Sequence, residues 1–136
     1  TGKLLIIYIP AQILGCLLGV MLANVFFEHD ILELSTKNRD GFHIFLSEII
    51  ATFGLIFIIF ATQKDGKITI AASVATYIMA GYWFTSSTSF ANPAVAIART
   101  FTDSFTGINY LNTPTYILAE FLGALIAVYF IKKLIK

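Results

Sequence analysis

The sequence has few charged residues, cysteines and histidines, and each shortage excludes a class of protein. Only 12% of its 136 residues are charged, against about 25% in a soluble globular domain. The 9 basic and 8 acidic residues nearly cancel, so no excess of positive charge points to a nucleic-acid partner. Cys16 is the single cysteine, which excludes a disulfide framework or a cysteine-based zinc site.

Residue patterns for catalysis are also absent from the sequence. It contains no Ser-His-Asp or Cys-His constellation and no glycine-rich phosphate loop. His29 and His43 lie in or beside one loop, among ordinary loop acids and without a nearby thiol, a pattern more typical of surface histidines than of metal ligands. We therefore predict that the chain is not an enzyme and holds no metal or cofactor.

Four long apolar stretches dominate the chain and predict its fold. A membrane span needs about 20 mainly apolar residues, and the stretches cover residues 4–27, 44–62, 68–84 and 115–131. The alternative of a soluble four-helix bundle requires a charged face on every helix, yet residues 4–27 contain no formally charged side chain. The sequence predicts an all-α membrane protein, one domain over residues 1–136, with four transmembrane helices.

The distribution of lysines predicts how the spans are oriented. If the spans alternate, the loops and ends on one side of the membrane hold Lys3, Lys64, Lys67, Lys132, Lys133 and Lys136, and the loop 28–43 on the other side holds Lys37 and Arg39. Cytoplasmic loops carry the excess of basic residues. We therefore expect both chain ends in the cytoplasm.

An internal repeat relates the first and last spans. Residues 8–20 align without gaps with residues 116–128, sharing Tyr, Ile, Ala, Leu, Gly, Leu and Val. The alternation of the spans makes the two copies run in opposite directions across the membrane. Inverted repeats of this kind are common in membrane transport proteins.

The segment 85–101 is too polar to span the membrane and too apolar for an ordinary loop. Asn92 is a good N-cap, and Pro93 suits the first helical position. The apolar run 93–101 then predicts a helix of about nine residues, roughly half the thickness of the hydrocarbon core. We interpret the segment as a re-entrant loop and half-helix, although a capped helix on the outer surface would have the same Asn-Pro start.

At these residues the chain resembles the aquaporin family, the major intrinsic proteins. Asn92, Pro93 and Ala94 match the family's Asn-Pro-Ala pore motif, and the polar lead-in 85–91 is similar to its outer pore loop. Glu48 resembles the buried glutamate that supports this loop, and Gln12 occupies the position of a similar polar residue. The role of Glu120, which replaces Gln12 in the repeat, stays open between support of the same loop and hydration near the interface.

The resemblance carries further expectations about architecture and partners. The family has six spans and two Asn-Pro-Ala half-helices, so the chain is expected to represent helices three to six of a truncated six-helix fold. It implies a homotetramer in the cell (inner) membrane whose partners are the lipid bilayer and small neutral solutes. The implied activity is a passive channel for water, glycerol and arsenite as the neutral acid, because the Asn92 amide and the positive helix N-terminus oppose cations.

The chain departs from the usual family pattern after the motif. Most members have arginine directly after Asn-Pro-Ala, where this chain has Val95. This variant is similar to a bacterial aquaglyceroporin branch linked to arsenic. By spacing, Ala80 and Ser89 would complete a selectivity filter of small side chains, and Arg99, one turn beyond Val95, either supplies a vestibule charge or caps the half-helix and pairs with Asp103.

Two other functions remain compatible with the sequence. The chain could be a non-conducting membrane scaffold, since no residue pattern proves conduction. It could also be part of a secondary transporter, for which only Glu48 and Glu120 offer ionisable groups within the spans.

Overall fold

The computed structural model describes residues 2–134. Lys136, which contributed to the predicted membrane orientation, lies outside the described residues. The described part is helical and without strands. Its elements are α1 (Gly2–Phe26), α2 (Phe42–Thr62), α3 (Lys67–Phe84), α4 (Pro93–Ala98), a 3₁₀ turn (Arg99–Phe101) and α5 (Thr113–Leu134).

Three helical stretches are long and apolar enough to cross a membrane: Leu4–Phe26, Phe42–Thr62 and Thr113–Leu134. Their large apolar side chains are widely exposed, as at Ile6 with 74% and Leu18 with 64%. A surface of this kind requires an apolar environment. The prediction of an all-helical, aquaporin-like membrane fold is confirmed.

The fourth predicted span corresponds to α3, which is not among the three stretches that qualify by length and composition. With 18 residues the helix is long enough, so its composition is what excludes it. Thr69, Ser73 and Thr76 reduce its apolar content. Its passage across the membrane therefore stays a prediction.

The chain divides into two compact units. The first unit comprises Thr1–Arg39 and Asn92–Pro114, and the second comprises Asp40–Ala91 and Thr115–Lys136. In the first unit, α1 packs against α4 and the 3₁₀ turn.

In the second unit, two glycines allow α2 to approach its neighbours closely. A Cβ atom on Gly123 of α5 would lie 2.5 Å from the Ile49 carbonyl oxygen of α2. A Cβ atom on Gly54 of α2 would overlap the ring of Tyr77 in α3. The Tyr77 hydroxyl donates to the Ala51 carbonyl over 3.0 Å, which joins α3 to α2 by a hydrogen bond as well.

Candidate functional site

The loop 85–91 is a polar segment buried in the second unit. All of its residues except the exposed Ser86 are buried; Ser87 is 0% exposed, Ser89 2% and Thr88 6%. Burial of so many hydroxyl and backbone groups is costly unless they are hydrogen-bonded. The loop must therefore be held by specific partners.

The backbone of this loop is strained. Thr88, Ser89 and Ala91 have φ values of 66°, 52° and 49°, in the left-handed region that non-glycine residues seldom enter. Each such residue costs about 1–3 kcal/mol, and such strain concentrates at functional sites. The surrounding contacts compensate for this cost.

Glu48 supplies the central contact. This side chain is 0% exposed on α2, and its Oε1 atom accepts a hydrogen bond of 2.5 Å from the Ala91 amide. Its other carboxylate oxygen, Oε2, is buried and has no hydrogen-bond partner among the described residues. A carboxylate acceptor strengthens such bonds relative to a neutral one, so Glu48 fixes the end of the loop that precedes Asn92.

Further hydrogen bonds fix the rest of the loop. The Tyr116 hydroxyl of α5 donates to the Ser87 carbonyl over 3.1 Å, and the Ser47 hydroxyl of α2 accepts from the Ser86 amide over 2.9 Å. The Thr85 hydroxyl donates to the Gly81 carbonyl over 2.6 Å. A Cβ atom on Gly81 would lie 2.6 Å from the Ser89 hydroxyl oxygen, so this position needs glycine for the loop to pack against α3.

The Asn-Pro-Ala motif starts α4 in the first unit. Asn92 is the N-cap in an extended conformation, and its Oδ1 atom accepts a 3.0 Å hydrogen bond from the Ala94 amide. Pro93 occupies the first helical position, where its missing N–H group leaves no hydrogen bond unmade. Ala94, Ala96 and Ala98 are buried. The α-helix has six residues, and the 3₁₀ turn extends it to Phe101.

The residues assigned to the selectivity filter lie in both units. Ala80 is exposed near the end of α3, Ser89 is buried in the loop, and Val95 is partly buried in α4. The Ser89 hydroxyl has no hydrogen-bond partner in the described structure. Gln12, assigned to support of the loop, is exposed on α1.

Arg99 and Glu120 are the remaining candidates from the sequence. Arg99, at the start of the 3₁₀ turn, donates a hydrogen bond to the Thr106 hydroxyl. Glu120 is 2% exposed on α5, so its side chain is buried within the protein instead of being hydrated. Its spacing from Tyr116, four residues, places both on one face of the helix.

Sequence reasoning missed a cluster in the first unit that joins the loop after α1 to the loop after the 3₁₀ turn. Asp103 accepts hydrogen bonds from the Thr36 amide over 2.8 Å, from the Thr36 hydroxyl and from the Ser35 hydroxyl. The hydrogen bond from the Thr36 amide is the main cause that holds the pKa of Asp103 below its usual value. The Arg39 guanidinium donates to the carbonyls of Gly107 and Phe105. Only the excess of polar residues in both loops could have indicated this cluster.

Asn24 was also missed, because one Asn in an apolar span gives no specific signal. It is 2% exposed, and its amide nitrogen donates to the Phe101 carbonyl over 3.0 Å and to the Ile31 carbonyl over 3.3 Å. It therefore connects the end of α1 to the 3₁₀ turn. Within residues 2–134, no three His, Cys, Asp or Glu side chains are grouped so that they could hold a metal ion.

Apolar helices that can cross a membrane, together with a strained polar loop that leads into an Asn-Pro-Ala half-helix, define an aquaporin-like membrane protein. The chain is 45% identical over 120 residues to the aquaglyceroporin AqpS of Rhizobium meliloti (strain 1021). This match confirms the resemblance of the chain to the aquaporin family. It covers 88% of the chain and 52% of the relative, so the chain spans about half the length of the curated relative that it matches.

Two further comparisons gave no match. No known protein-family model matches the chain. No solved structure matches it either.

Proposed function

We propose that the protein is a passive membrane channel for small uncharged solutes. The observation that carries this proposal is the buried, strained loop 85–91, held by the Glu48 carboxylate and continued by the Asn92-capped helix. In a membrane, irregular backbone is tolerated only where protein buries it or where it lines a water-filled path. Its similarity to a relative named an aquaglyceroporin supports the same function.

The solutes we propose are water, glycerol and arsenite as the neutral acid. The Asn92 side chain caps the half-helix, with its carbonyl oxygen accepting from the Ala94 amide, and an Asn side chain also carries an NH₂ group that can donate to a hydroxyl. Ala80, Ser89 and Val95 are small side chains, and a filter made of them would be wider and less cationic than one that contains arginine.

The proposed assembly is a homotetramer in the inner membrane, with both chain ends in the cytoplasm. The exposed apolar surface of α1, for example Ile6 and Leu18, supports contact with lipid. The excess of lysines on one side of the alternating spans supports the orientation. Labelling of single-cysteine variants from outside should reach Thr36→Cys and not Lys64→Cys, and equal labelling would contradict this topology.

Solute flux into vesicles tests the function directly. The chain is reconstituted into liposomes, and swelling in glycerol is followed by light scattering against protein-free liposomes. We expect faster swelling, and we expect Val95→Arg to lower glycerol flux more than water flux because the long cationic side chain narrows the path. Leu125→Val, on the exposed surface of α5, is the matched control.

Two outcomes would contradict the proposal. Folded protein whose liposomes swell no faster than protein-free liposomes would indicate a non-conducting scaffold. Flux of both solutes unchanged by Val95→Arg would exclude Val95 from the constriction.

A further inference from the structure

A cavity of about 510 Å³ lies in the first unit, at the ends of α1 and the half-helix. Its size falls in the range of small-molecule binding pockets. The cavity is lined by Ala23, Asn24, Phe27, His29, Arg99, Ser104, Phe105 and Thr106. The proposed filter residues Ala80, Ser89 and Val95 do not line it, whereas Arg99 does.

The polar part of the lining is basic and rich in hydroxyl groups. Arg99 donates to Thr106, whose hydroxyl lies 3.3 Å from that of Ser104. The residues that line the cavity within the described chain include no Asp or Glu. The lining would offer an anionic ligand a guanidinium group and two hydroxyls, while the nearby Glu33 carboxylate is engaged by His29 and the Asp103 amide.

The walls of the cavity are held in place by contacts outside it. The buried Asn24 amide group is fixed by the carbonyls of Phe101 and Ile31. His29 pairs with Glu33 over 2.7 Å. Such contacts preorganise a site and reduce the entropy lost when a ligand binds.

The apolar part of the lining restricts the kind of anion. Ala23, Phe27 and Phe105 give the cavity a hydrocarbon and aromatic wall. An inorganic oxyanion is hydrated on all sides and gains nothing from such a wall, whereas an organic anion buries its hydrocarbon part there. A guanidinium group fits a carboxylate with two parallel hydrogen bonds.

We propose that this cavity binds a small organic monoanion with a carboxylate head and a short apolar body. The carboxylate lies at Arg99, Ser104 and Thr106, and the hydrocarbon part lies against Phe27 and Phe105. This binding requires no passage of solute. The proposal can therefore fail or hold independently of the channel function.

Butyrate is the probe for the test. The full chain in detergent micelles is titrated with ¹³C-labelled butyrate, and binding is followed by ligand-observed NMR. Butan-1-ol has the same hydrocarbon body without the charge, and sulfate has charge without the body. We expect saturable binding of butyrate, and weaker binding of both other compounds.

Substitutions then locate the site. Arg99→Gln should weaken butyrate binding about tenfold or more, which corresponds to about 1.4 kcal/mol, and Arg99→Lys should restore part of it. Lys37→Gln removes a positive charge that does not line the cavity, and it should leave binding unchanged. Phe27→Ala tests the apolar wall and should weaken butyrate binding while leaving the weak binding of sulfate as it is.

The helix content of every variant is checked by circular dichroism. If Arg99→Gln does not fold, Arg99→Lys and Phe27→Ala carry the test, because each leaves part of the lining intact. Butyrate binding that is absent, equal to that of butan-1-ol or sulfate, or insensitive to the Arg99 and Phe27 substitutions would overturn the proposal.

Discussion

Two irregular segments of the molecule are held by the same kind of hydrogen bond in different surroundings. In the loop 85–91, the Glu48 carboxylate accepts from the Ala91 amide, and the carboxylate is fully buried. In the first unit, where the loop after α1 meets the loop after the 3₁₀ turn, the Asp103 carboxylate accepts from the Thr36 amide at a partly exposed position. Both are hydrogen bonds from a backbone amide to a carboxylate, so their contributions to stability differ through their exposure to solvent.

Water can replace Asp103 as the partner of the Thr36 amide, whereas the buried Ala91 amide has no such substitute. An unsatisfied buried donor costs more than the net gain of an ordinary hydrogen bond. The buried loop also contains left-handed residues that its contacts must hold in place. The comparison predicts that substitutions around Glu48 have large effects and those around Asp103 small ones.

The largest effect is expected from Glu48→Ala. It leaves the Ala91 amide buried without its acceptor, which costs about 1–3 kcal/mol, and it releases the strained loop that precedes Asn92. Thermal unfolding in detergent should shift to a lower temperature, and solute flux in liposomes should fall to the protein-free level. Asp103→Ala is the matched substitution, and an equally large shift from it would refute the role of burial.

Gly123→Ala should follow in size. The added Cβ atom would lie 2.5 Å from the Ile49 carbonyl oxygen, and overpacking of this kind costs about 1–3 kcal/mol. The unfolding temperature in detergent is the measurement. Gly19→Ala in α1 is the control, because its Cβ atom would meet nothing within 4 Å and alanine favours the helix. Equal destabilisation by both would show that α5 and α2 do not approach closely.

Tyr116→Phe should have a smaller effect. It removes the hydroxyl that donates to the Ser87 carbonyl but keeps the ring, whose centroid lies 5.0 Å from that of Phe90. The net loss of one hydrogen bond is about 1 kcal/mol, measured by unfolding in detergent. Tyr129→Phe, on the exposed surface of α5, should change nothing. A loss as large as that from Glu48→Ala would mean that Tyr116, not Glu48, is the main support of the loop.

The smallest effect concerns pH. Because its pKa is lowered in the folded protein, Asp103 stabilises the two loops that it joins at pH values above its unfolded pKa of about 3.9. This stabilisation is lost as the pH falls below that value and through the lower folded pKa. Amide hydrogen exchange at Thr36, compared with an amide in α5 at each pH, should show weaker protection in acid. Asp103→Asn should remove this pH dependence, and its persistence would assign the effect to another group.

Some of the site could be predicted because its residues give local signals. Asn92 and Pro93 are a helix-start pattern, and the helix begins at Pro93 with Asn92 as its cap. The contact of Glu48 with the loop, in contrast, joins positions far apart in the sequence, and only the family resemblance indicated it. The Asp103 cluster and Asn24 could not be predicted, because polar residues in a loop or a lone Asn in a span have many possible partners.

The sequence by itself determined the class of fold. Long apolar stretches with few charges are stable in the hydrocarbon core of a bilayer, and there helices satisfy their backbone hydrogen-bonding groups within each segment. The sequence also determined where the half-helix starts, since capping depends on adjacent residues. Tertiary structure decided which carboxylate accepts a hydrogen bond from which amide. It also decided that a Cβ atom would clash at Gly81 and Gly123, and where the cavity at Arg99 forms. These features depend on atoms brought together from separate segments, and their positions follow from packing instead of from any local pattern.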